Sequence, residues 1–283
     1  MKRLLTLLVT AILAVTAVMG LTACNKDENS PVIVSGVQLV EEQYGIAGKK
    51  GNDALISKIN EALIAIADDE MVDVANVYGL KSEIAVTKDT VNPLASATDG
   101  SWDALVARKK VVIGYTVFAP IAYEVVDDVP TKGYDIDLAK AVFDYLNAEY
   151  DTEITIEFLE IQWNAKETLL AGGSIDLVWN GLTITEDRLN EMCISVPYLN
   201  NKQVALVMSK NAEKFNSIAN MKDAVTGAED GSAGEEQIAT KEIGKEYIKC
   251  SSQLDAFNKL KAGTLDVIVI DSVMANYYIS LED

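Results

Sequence analysis

The stretch WNAKETLLAGGSIDLVWNGLTITEDRLNEMCISVPYLNNK, residues 163–202, decides the fold class of this chain. An apolar run within it, residues 175–179, has the length and flanks of a buried parallel strand, and it ends at Asn180 and Gly181. The residues that follow, 183–188, predict the start of a helix with Thr185 at its N-cap. A strand that leads directly into a helix is the repeating unit of an α/β fold.

Arg188 stands where a capping box would place Glu or Gln, so its side chain does not cap the helix. A guanidinium near a helix start, beside free backbone amides and the hydroxyl of Thr183, suits a carboxylate ligand because its planar fork can donate to both oxygens. Considered by itself, the stretch fits an exposed helical Arg better. The carboxylate site therefore needs support from the rest of the chain.

The chain begins like an exported protein. Lys2 and Arg3 precede an apolar run at residues 4–19, and Leu-Thr-Ala-Cys follows, ending at Cys24. Basic, apolar and small residues in this order are typical of a secretory signal, and the run is too short for a comfortable membrane span. Leu-Thr-Ala-Cys resembles the lipobox of bacterial lipoproteins, in which the Cys is lipidated. We expect residues 1–23 to be removed, Cys24 to carry a lipid and residues 24–31 to form a tether; cleavage without lipidation is the alternative.

Composition excludes several classes of function. Without residues 1–23 the chain keeps 283 − 23 = 260 residues, enough for about two domains. Its charge is then 22 − 43 = −21, which leaves no basic surface for nucleic acid. The absence of His excludes His triads and His metal sites, and no catalytic residue, metal or cofactor is expected. Cys193 and Cys250 are interpreted as two buried, unpaired thiols, although a disulfide is the open alternative.

Elsewhere the chain alternates strands and helices, with one irregular stretch, residues 84–103, that reads as a linker. Strands are predicted at residues 32–34, 36–47, 109–114, 154–158, 203–209 and 265–270, and helices at 55–66, 72–78, 254–260 and after Tyr134. Residues 173–178 and 263–268 share the order Gly, Ser or Thr, Ile or Leu, Asp and two aliphatic residues. Because a helix precedes each and a loop follows each strand, we predict two similar α/β units.

An ordered series of segments over about 170 residues resembles the extracytoplasmic solute-binding proteins of ABC transporters, specifically the polar amino-acid-binding family (family 3). The segments are KVVIG at 110–114 with Pro120, GYDIDL at 133–138, WNGLTITEDR at 179–188, SVPY at 195–198 and residues 263–271. The series as a whole is specific, whereas each single segment is a weak signal.

The order of the segments departs from the family. Members begin with the strand that starts here at Lys109, and they end with a segment like residues 42–53 and a Leu- and Ile-rich helix. Here that closing segment comes first, within residues 32 to about 80. The sequence thus looks circularly permuted, which is physically mild because chain ends often lie close together on a domain surface. A truncated protein with a stray partial repeat is the alternative.

The resemblance implies a two-lobed, periplasmic-binding-protein-like α/β fold (type II), circularly permuted, with a ligand cleft between the lobes. Lobe 1 is expected at residues 44–198, including the linker, and lobe 2 at residues 32–39 plus 203–283. The hinges are expected at about 40–44 and 199–202, where closure would bury the ligand.

The resemblance also implies the roles of individual residues. Arg188, with Thr183 beside it, matches the family's grip on the α-carboxylate of an amino acid. Asp271 and a carbonyl oxygen near Gly181 match its grip on the α-ammonium. Phe118 and Trp163 match the aromatic residues that flank the ligand side chain, although both fit the core equally well.

Three further residues match variable contact positions of the family. Tyr115 lies where relatives often read the ligand side chain, and Glu229 and Ser232 lie in the contact turn of the second lobe. Because some relatives offer a basic residue or an amide at that turn, Glu229 argues against an acidic ligand. A neutral polar or cationic amino acid fits better, and a solvent-facing Glu229 is the alternative.

The expected function is a lipid-anchored, extracytoplasmic receptor, monomeric, that captures a polar amino acid and passes it to an ABC permease. Two alternatives remain on the same scaffold. A dehydratase-type enzyme would need a proton donor at the ligand, for which Glu229 and Tyr115 are the candidates. A sensory module would need a signalling domain or a second apolar run, and the sequence has neither.

Overall fold

A computed structural model describes residues 31–281. The predicted signal segment, Cys24 and nearly all of the predicted tether lie outside these residues. Eleven strands are defined within them: β1 (Val32–Lys49), β2 (Lys110–Tyr115), β3 (Tyr123–Val126), β4 (Val129–Lys132), β5 (Thr155–Glu160), β6 (Leu177–Thr183), β7 (Met192–Ile194), β8 (Leu199–Met208), β9 (Val225–Glu229), β10 (Glu246–Cys250) and β11 (Val267–Asp271).

Nine α-helices are defined in the same range: α1 (Asp53–Ala65), α2 (Glu70–Val77), α3 (Ser101–Arg108), α4 (Tyr134–Tyr150), α5 (Lys166–Gly172), α6 (Glu186–Glu191), α7 (Ala233–Thr240), α8 (Gln253–Lys261) and α9 (Ser272–Ser280). None of the helices in the described part is long and apolar enough to cross a membrane.

One long sheet organises the molecule, in the strand order β10-β9-β11-β8-β1-β6-β2-β5, with β7 paired to β1. We call β2, β5, β6 and β7 with their helices the first half, and β9, β10 and β11 with theirs the second half. Parallel pairs join β2 to β5 and β6, and β9 to β10 and β11. The prediction of an α/β fold is confirmed.

The two halves are connected by β1 and β8, which lie side by side at the centre of the sheet. They pair antiparallel from Val32 opposite Met208 to Tyr44 opposite Leu199. Beyond Tyr44, β1 leaves β8 and pairs with β6 and β7 instead. β1 precedes in the sequence all the segments of the series that resembles the family, and it is nevertheless a central strand of the sheet.

The repeat predicted from sequence has a common structure in the two halves. The carboxylate of Asp176 accepts from the amide of Val112 at 2.8 Å, and that of Asp266 accepts from the amide of Val225 at 3.0 Å. The amides of both Asp residues donate back to the carbonyls of the same partners at 2.8 Å. In both units an Asp therefore joins the repeat strand to a neighbouring parallel strand, and the prediction of two similar units is confirmed.

Several element boundaries differ from the sequence prediction. The strands expected at 32–34 and 36–47 form one strand, β1, whose register shifts between Val34 and Val40. The linker is irregular only as far as Gly100, because α3 begins at Ser101. The sequence pattern also missed short or amphipathic elements, namely β3, β4, β7, β9, β10 and α9. Cys193 and Cys250 are buried and free.

Candidate functional site

A narrow cavity lies where the two halves meet. The first half lines it with Thr116, Phe118, Trp163, Asn180, Gly181, Thr183 and Arg188, and the second half lines it with Glu229, Ser232, Ala233, Gln253 and Asp271. Most of these residues lie at or just beyond the carboxyl ends of β2, β6, β9 and β11. Ligands of open α/β sheets bind at this edge of the strands, so the cavity is the candidate site.

Arg188 enters the cavity from α6, whose N-cap is Thr185 as predicted: the Arg188 amide donates to Thr185 Oγ1 at 3.2 Å. Its guanidinium donates through Nη1 to the carbonyl of Thr183 at 2.7 Å and through Nη2 to the carbonyl of Gly231 at 3.2 Å. Because a guanidinium has five N–H donors, these two bonds leave capacity for an anionic ligand. Arg188 is thus oriented by its own half and touches the opposite one.

Lys166 is a second cation of the first half at the same place. Its ammonium lies 3.2 Å from the carbonyl of Gly231 and 3.0 Å from Glu167 Oε1. The side chain is almost completely buried, and burial lowers the pKa of its ammonium, as does the nearby charge of Arg188. Its contact with Glu167 offsets its charge locally, which leaves Arg188 as the cation available to a ligand.

Asp271, at the end of β11, is held by four side chains. Its Oδ1 accepts from Tyr44 at 2.6 Å, from Asn201 at 2.5 Å and from Gln203 at 2.9 Å. Gln253 donates to Oδ2 in a short contact. These bonds fix the position of the Asp271 carboxyl group at the wall of the cavity.

Glu42, in β1, is bound to the same cage behind Asp271. Its Oε1 accepts from Asn201 at 2.5 Å and from Gln203 at 2.8 Å, so both amides bridge the two carboxyl groups. Burial, followed by the negative charge of Asp271, raises the pKa of Glu42 to about 8. Glu42 therefore keeps its proton near neutral pH. The pair of neighbouring acids then carries a single negative charge.

Gly181 is fixed beneath the cavity by the motif that contains Asp135. The amide of Gly181 and the hydroxyl of Tyr198 both donate to Asp135 Oδ2 at 2.8 Å. Gly181 has a φ of +63°, and a Cβ there would lie 2.8 Å from Phe118 Cε1. A residue with a side chain would be strained and would displace the ring, so glycine is required.

Glu229 ends β9 and is only 4% exposed, so the alternative of a solvent-facing side chain does not hold. Its Oε1 has no hydrogen-bond partner. Burial is the main cause that raises the pKa of its carboxyl to about 8; Asp271 adds to the shift and Lys166 opposes it. The cavity therefore contains a second acidic group besides Asp271, and its Oε1 accepts no hydrogen bond from the described residues.

Eight of the nine residues predicted from sequence for the ligand site line this cavity: Arg188, Asp271, Thr183, Gly181, Trp163, Phe118, Ser232 and Glu229. Tyr115 does not line it. Its ring packs with Ala122 and Ile136 and meets Phe158 edge-on at 6.3 Å, while Thr116, the next residue, reaches the cavity instead.

Sequence reasoning missed the polar residues that surround the predicted ones. Lys166, Glu42, Asn201, Gln203 and Gln253 lie in segments whose apolar pattern drew attention to other positions. A signal existed for Asn201 and Gln203, because polar side chains in a central strand must find partners once they are buried.

Residues 111–268, more than half of the chain, match the sequence model of the family described as "Bacterial extracellular solute-binding proteins, family 3". A curated relative, the "Arginine-binding extracellular protein ArtP" of Bacillus subtilis (strain 168), is 26% identical over 181 residues, which cover 62% of this chain and 66% of the relative. The chain spans about half to two thirds of the length of the curated relatives it matches.

Two solved structures share the fold at moderate sequence identity. An ABC uptake transporter substrate binding protein from Streptococcus pneumoniae with bound histidine is 31% identical with a TM-score of 0.58, and the match covers 65% of this chain and 75% of that one. The ancestral amino acid-binding protein AncCDT-1, a precursor of cyclohexadienyl dehydratase, is 28% identical with a TM-score of 0.58 over 63% and 77% of the two chains. These likenesses confirm the expected type II binding-protein fold.

Proposed function

Because this chain belongs to the bacterial extracellular solute-binding proteins of family 3, we propose that it captures an amino acid in the cavity between its two halves and delivers it to an ABC permease. The observation that carries the proposal is the pairing of opposite charges in one cavity, Arg188 from the first half and Asp271 from the second. An amino acid carries the complementary pair, a carboxylate and an ammonium. A relative named for binding arginine and a solved structure with bound histidine support this class of ligand.

In the proposed complex, Arg188 and Thr183 bind the α-carboxylate, and Asp271 with a carbonyl near Gly181 binds the α-ammonium. Phe118 and Trp163 flank the ligand side chain. A buried ammonium without an acidic partner would be strongly disfavoured, so the charge of Asp271 is essential to this arrangement. The ammonium approaches Oδ2 of Asp271, the oxygen that accepts from Gln253 alone among the described residues.

The proposed lobes are residues 44–198 and residues 32–39 plus 203–283, with hinges at 40–44 and 199–202. The two hinge segments are neighbours in the sheet, since Glu41 pairs with Lys202 and Gln43 with Asn200. A pair of adjacent crossing strands lets the lobes rotate together about one axis and close over a ligand.

The circular permutation is part of the proposal. It is supported by the position of β1, which comes first in the described chain and yet lies at the centre of the sheet, between β8 and β6. A rearranged chain that begins at Ser101 and joins residue 281 to Val32 through a short linker should keep the fold and the ligand affinity. Failure of a set of linker lengths to give a folded protein would contradict it.

Anchoring follows from residues outside the described range. We expect export, cleavage before Cys24 and lipidation of Cys24, which together place a monomeric receptor at the outer face of the membrane beside its permease. Incorporation of a labelled lipid precursor into the expressed protein, and its loss in Cys24→Ala, tests this directly.

A dehydratase-type enzyme remains a second candidate because of one observation. Glu229 is buried in the cavity with a raised pKa, as expected of a general acid. Tyr115, the other candidate donor, lies outside the cavity lining. We favour binding without turnover because the family and the relatives named above are binding proteins. A new product peak after incubation with a binding ligand would favour the enzyme.

The test of the proposed function is a thermal-shift screen of the chain from Asn25 onward against the twenty amino acids, ornithine, citrulline and cystine. A ligand that binds only the native state at about 100 times its Kd stabilises that state by about 2.7 kcal/mol, so at least one amino acid should raise the melting temperature in a dose-dependent way. No response from a protein that melts cooperatively would contradict the proposal.

A further inference from the structure

The cavity contains two unsatisfied side-chain atoms, and both are acceptors. They are Oε1 of Glu229 and Oδ1 of Asn180, and each belongs to a residue less than a twentieth exposed. The amide nitrogen of Asn180 donates one hydrogen bond, to Thr116 Oγ1 at 2.9 Å, which fixes the direction of the amide. Buried acceptors without partners are rare and costly, so a ligand that fills this cavity should bring hydrogen-bond donors to them.

The charges in the cavity further limit which amino acids can be its ligand. Arg188 balances an α-carboxylate, Asp271 balances an α-ammonium, and Lys166 is offset by Glu167 at 3.0 Å. The carboxyl group of Glu229 is then left over inside a cavity closed by ligand. With a neutral amino acid Glu229 would stay protonated and its Oε1 would still lack a donor, whereas a second cation on the ligand would supply that donor and balance the ionised carboxylate.

We propose that the ligand is an amino acid whose side chain ends in a cation rich in N–H donors, and that Glu229 selects it by binding this cation, with Asn180 accepting beside it. The inference rests on the proposed function, since it assumes that an amino acid occupies the cavity through Arg188 and Asp271. To the proposed function it adds the chemical class of the ligand side chain and the residue that recognises this side chain.

The two selecting residues come from opposite halves. Asn180 lies in β6 of the first half, and Glu229 ends β9 of the second half. A side-chain cation that contacts both residues is bound completely only when the halves are together. Recognition of the cation is thereby coupled to closure of the two halves. A ligand without a side-chain cation stabilises the closed form less.

Glu229 has a competing role that the experiment must separate. Asp271 already accepts from four side chains, so Glu229 is also placed to bind the α-ammonium that every amino acid carries. In that case replacing Glu229 would weaken all amino acids alike. In the proposed case, it would weaken only those with a charged side chain.

The test uses L-arginine and L-citrulline, which have closely similar shapes but differ in side-chain charge, with L-lysine and L-ornithine as further cations. Isothermal titration calorimetry compares the wild-type chain, Glu229→Gln and the control Glu236→Gln, which removes an exposed carboxylate of the neighbouring helix α7. We expect at least one of the three cationic amino acids to bind the wild type, and a preference for arginine over citrulline if arginine is among them.

For the cationic ligand that binds, Glu229→Gln should reduce affinity about 30-fold or more, the usual effect of removing one partner of a buried charge pair. Glu236→Gln should change it less than about threefold, as expected of an exposed charge. For arginine and citrulline, the ratio of their affinities should shrink accordingly in Glu229→Gln.

Three results would overturn the inference. The first is a neutral amino acid that binds the wild type more tightly than all the cations. The second is an equal loss for arginine and citrulline in Glu229→Gln, which would assign Glu229 to the α-ammonium. Both leave the proposed function standing. The third, no binding by any amino acid, would overturn the proposed function and this inference together.

Discussion

Arg188 and Gly231 join the two halves of the molecule: Nη2 of the guanidinium donates to the carbonyl oxygen of Gly231 at 3.2 Å. Lys166 donates to the same oxygen, so two cations of the first half hold one carbonyl of the second. A third contact, from Asn164 Nδ2 to Asp230 Oδ2 at 2.8 Å, lies one residue away. The residue that we assign to the ligand carboxylate therefore also takes part in closing the cavity.

The contact between Asn164 and Asp230 should contribute to affinity although neither residue is assigned to the ligand. Asn164→Ala removes the hydrogen bond to Asp230 and should weaken amino acid binding by about 0.5–1.5 kcal/mol, because we expect that bond to form only when the two halves close. Asn220→Ala, which removes an exposed hydrogen bond within the second half, serves as the control. Calorimetry measures the affinity of both variants. Equal affinities for Asn164→Ala and the wild type would show that this bond does not contribute to ligand binding.

Gly181 should be intolerant of any side chain. Gly181→Ala introduces a Cβ at positive φ and 2.8 Å from Phe118 Cε1, so the free energy of unfolding should fall by about 1–3 kcal/mol. Gly172→Ala is the matched control, since a Cβ there meets nothing within 4 Å and its φ lies outside the left-handed range. Urea denaturation measures both, and equal midpoints would contradict the strain assigned to Gly181.

Asp271 should affect folding and binding together. Asp271→Asn turns an amide N–H₂ toward the donors of the cage, so we expect a loss of about 1–3 kcal/mol in unfolding free energy. Loss of the ammonium's partner should cost a further 2–5 kcal/mol or so in binding. Asp223→Asn, at an exposed position, should change neither. An unchanged dissociation constant in Asp271→Asn would show that Asp271 does not bind the ligand.

Binding of a cationic amino acid should depend on pH through Glu229. Its pKa of about 8 means that the carboxyl is protonated in the empty protein at neutral pH, while a bound cation requires it ionised. Affinity should thus rise as pH increases toward about 8, by at most about tenfold per pH unit, and then level off. The charged or titratable groups that act on Glu229 are Asp271, Lys166 and Cys250.

Calorimetry in buffers of different ionisation enthalpy counts the protons released on binding. We expect release at pH 7 by the wild type and none from this position in Glu229→Gln. Uptake of protons, or equal release by both proteins, would show that Glu229 does not ionise when the ligand binds.

Much of this architecture was predictable because buried strands have strong local signals. The repeat at Gly173 and Gly263 and the N-cap at Thr185 each depend on a few neighbouring residues, and the structure confirms them. The hairpin β3–β4 and the short strand β7 could not be predicted, because elements of three or four residues lack a full period of any pattern.

The residues of the candidate site also fall into those that the sequence could suggest and those that it could not. Arg188 drew attention as a cation where a capping box would place Glu or Gln, whereas Asp271 was proposed only through the resemblance to family 3. The cage of Asn201, Gln203 and Glu42 around Asp271 depends on the antiparallel pairing of β1 with β8, two segments about 160 residues apart. Tyr115 was assigned to the wrong side of a strand end, where a shift of one residue exchanges the two faces.

The most direct test of the account is the affinity of Arg188 variants for the amino acid that the thermal-shift screen identifies. Calorimetry would compare the wild type with Arg188→Ala, which removes the guanidinium, and Arg188→Lys, which keeps a charge but loses the planar fork. The account predicts that Arg188→Ala costs at least about 2–5 kcal/mol of binding while the protein still unfolds cooperatively, with an intermediate loss for Arg188→Lys. Near-wild-type affinity in a folded Arg188→Ala variant would contradict the central claim that this cavity binds an amino acid by its carboxylate.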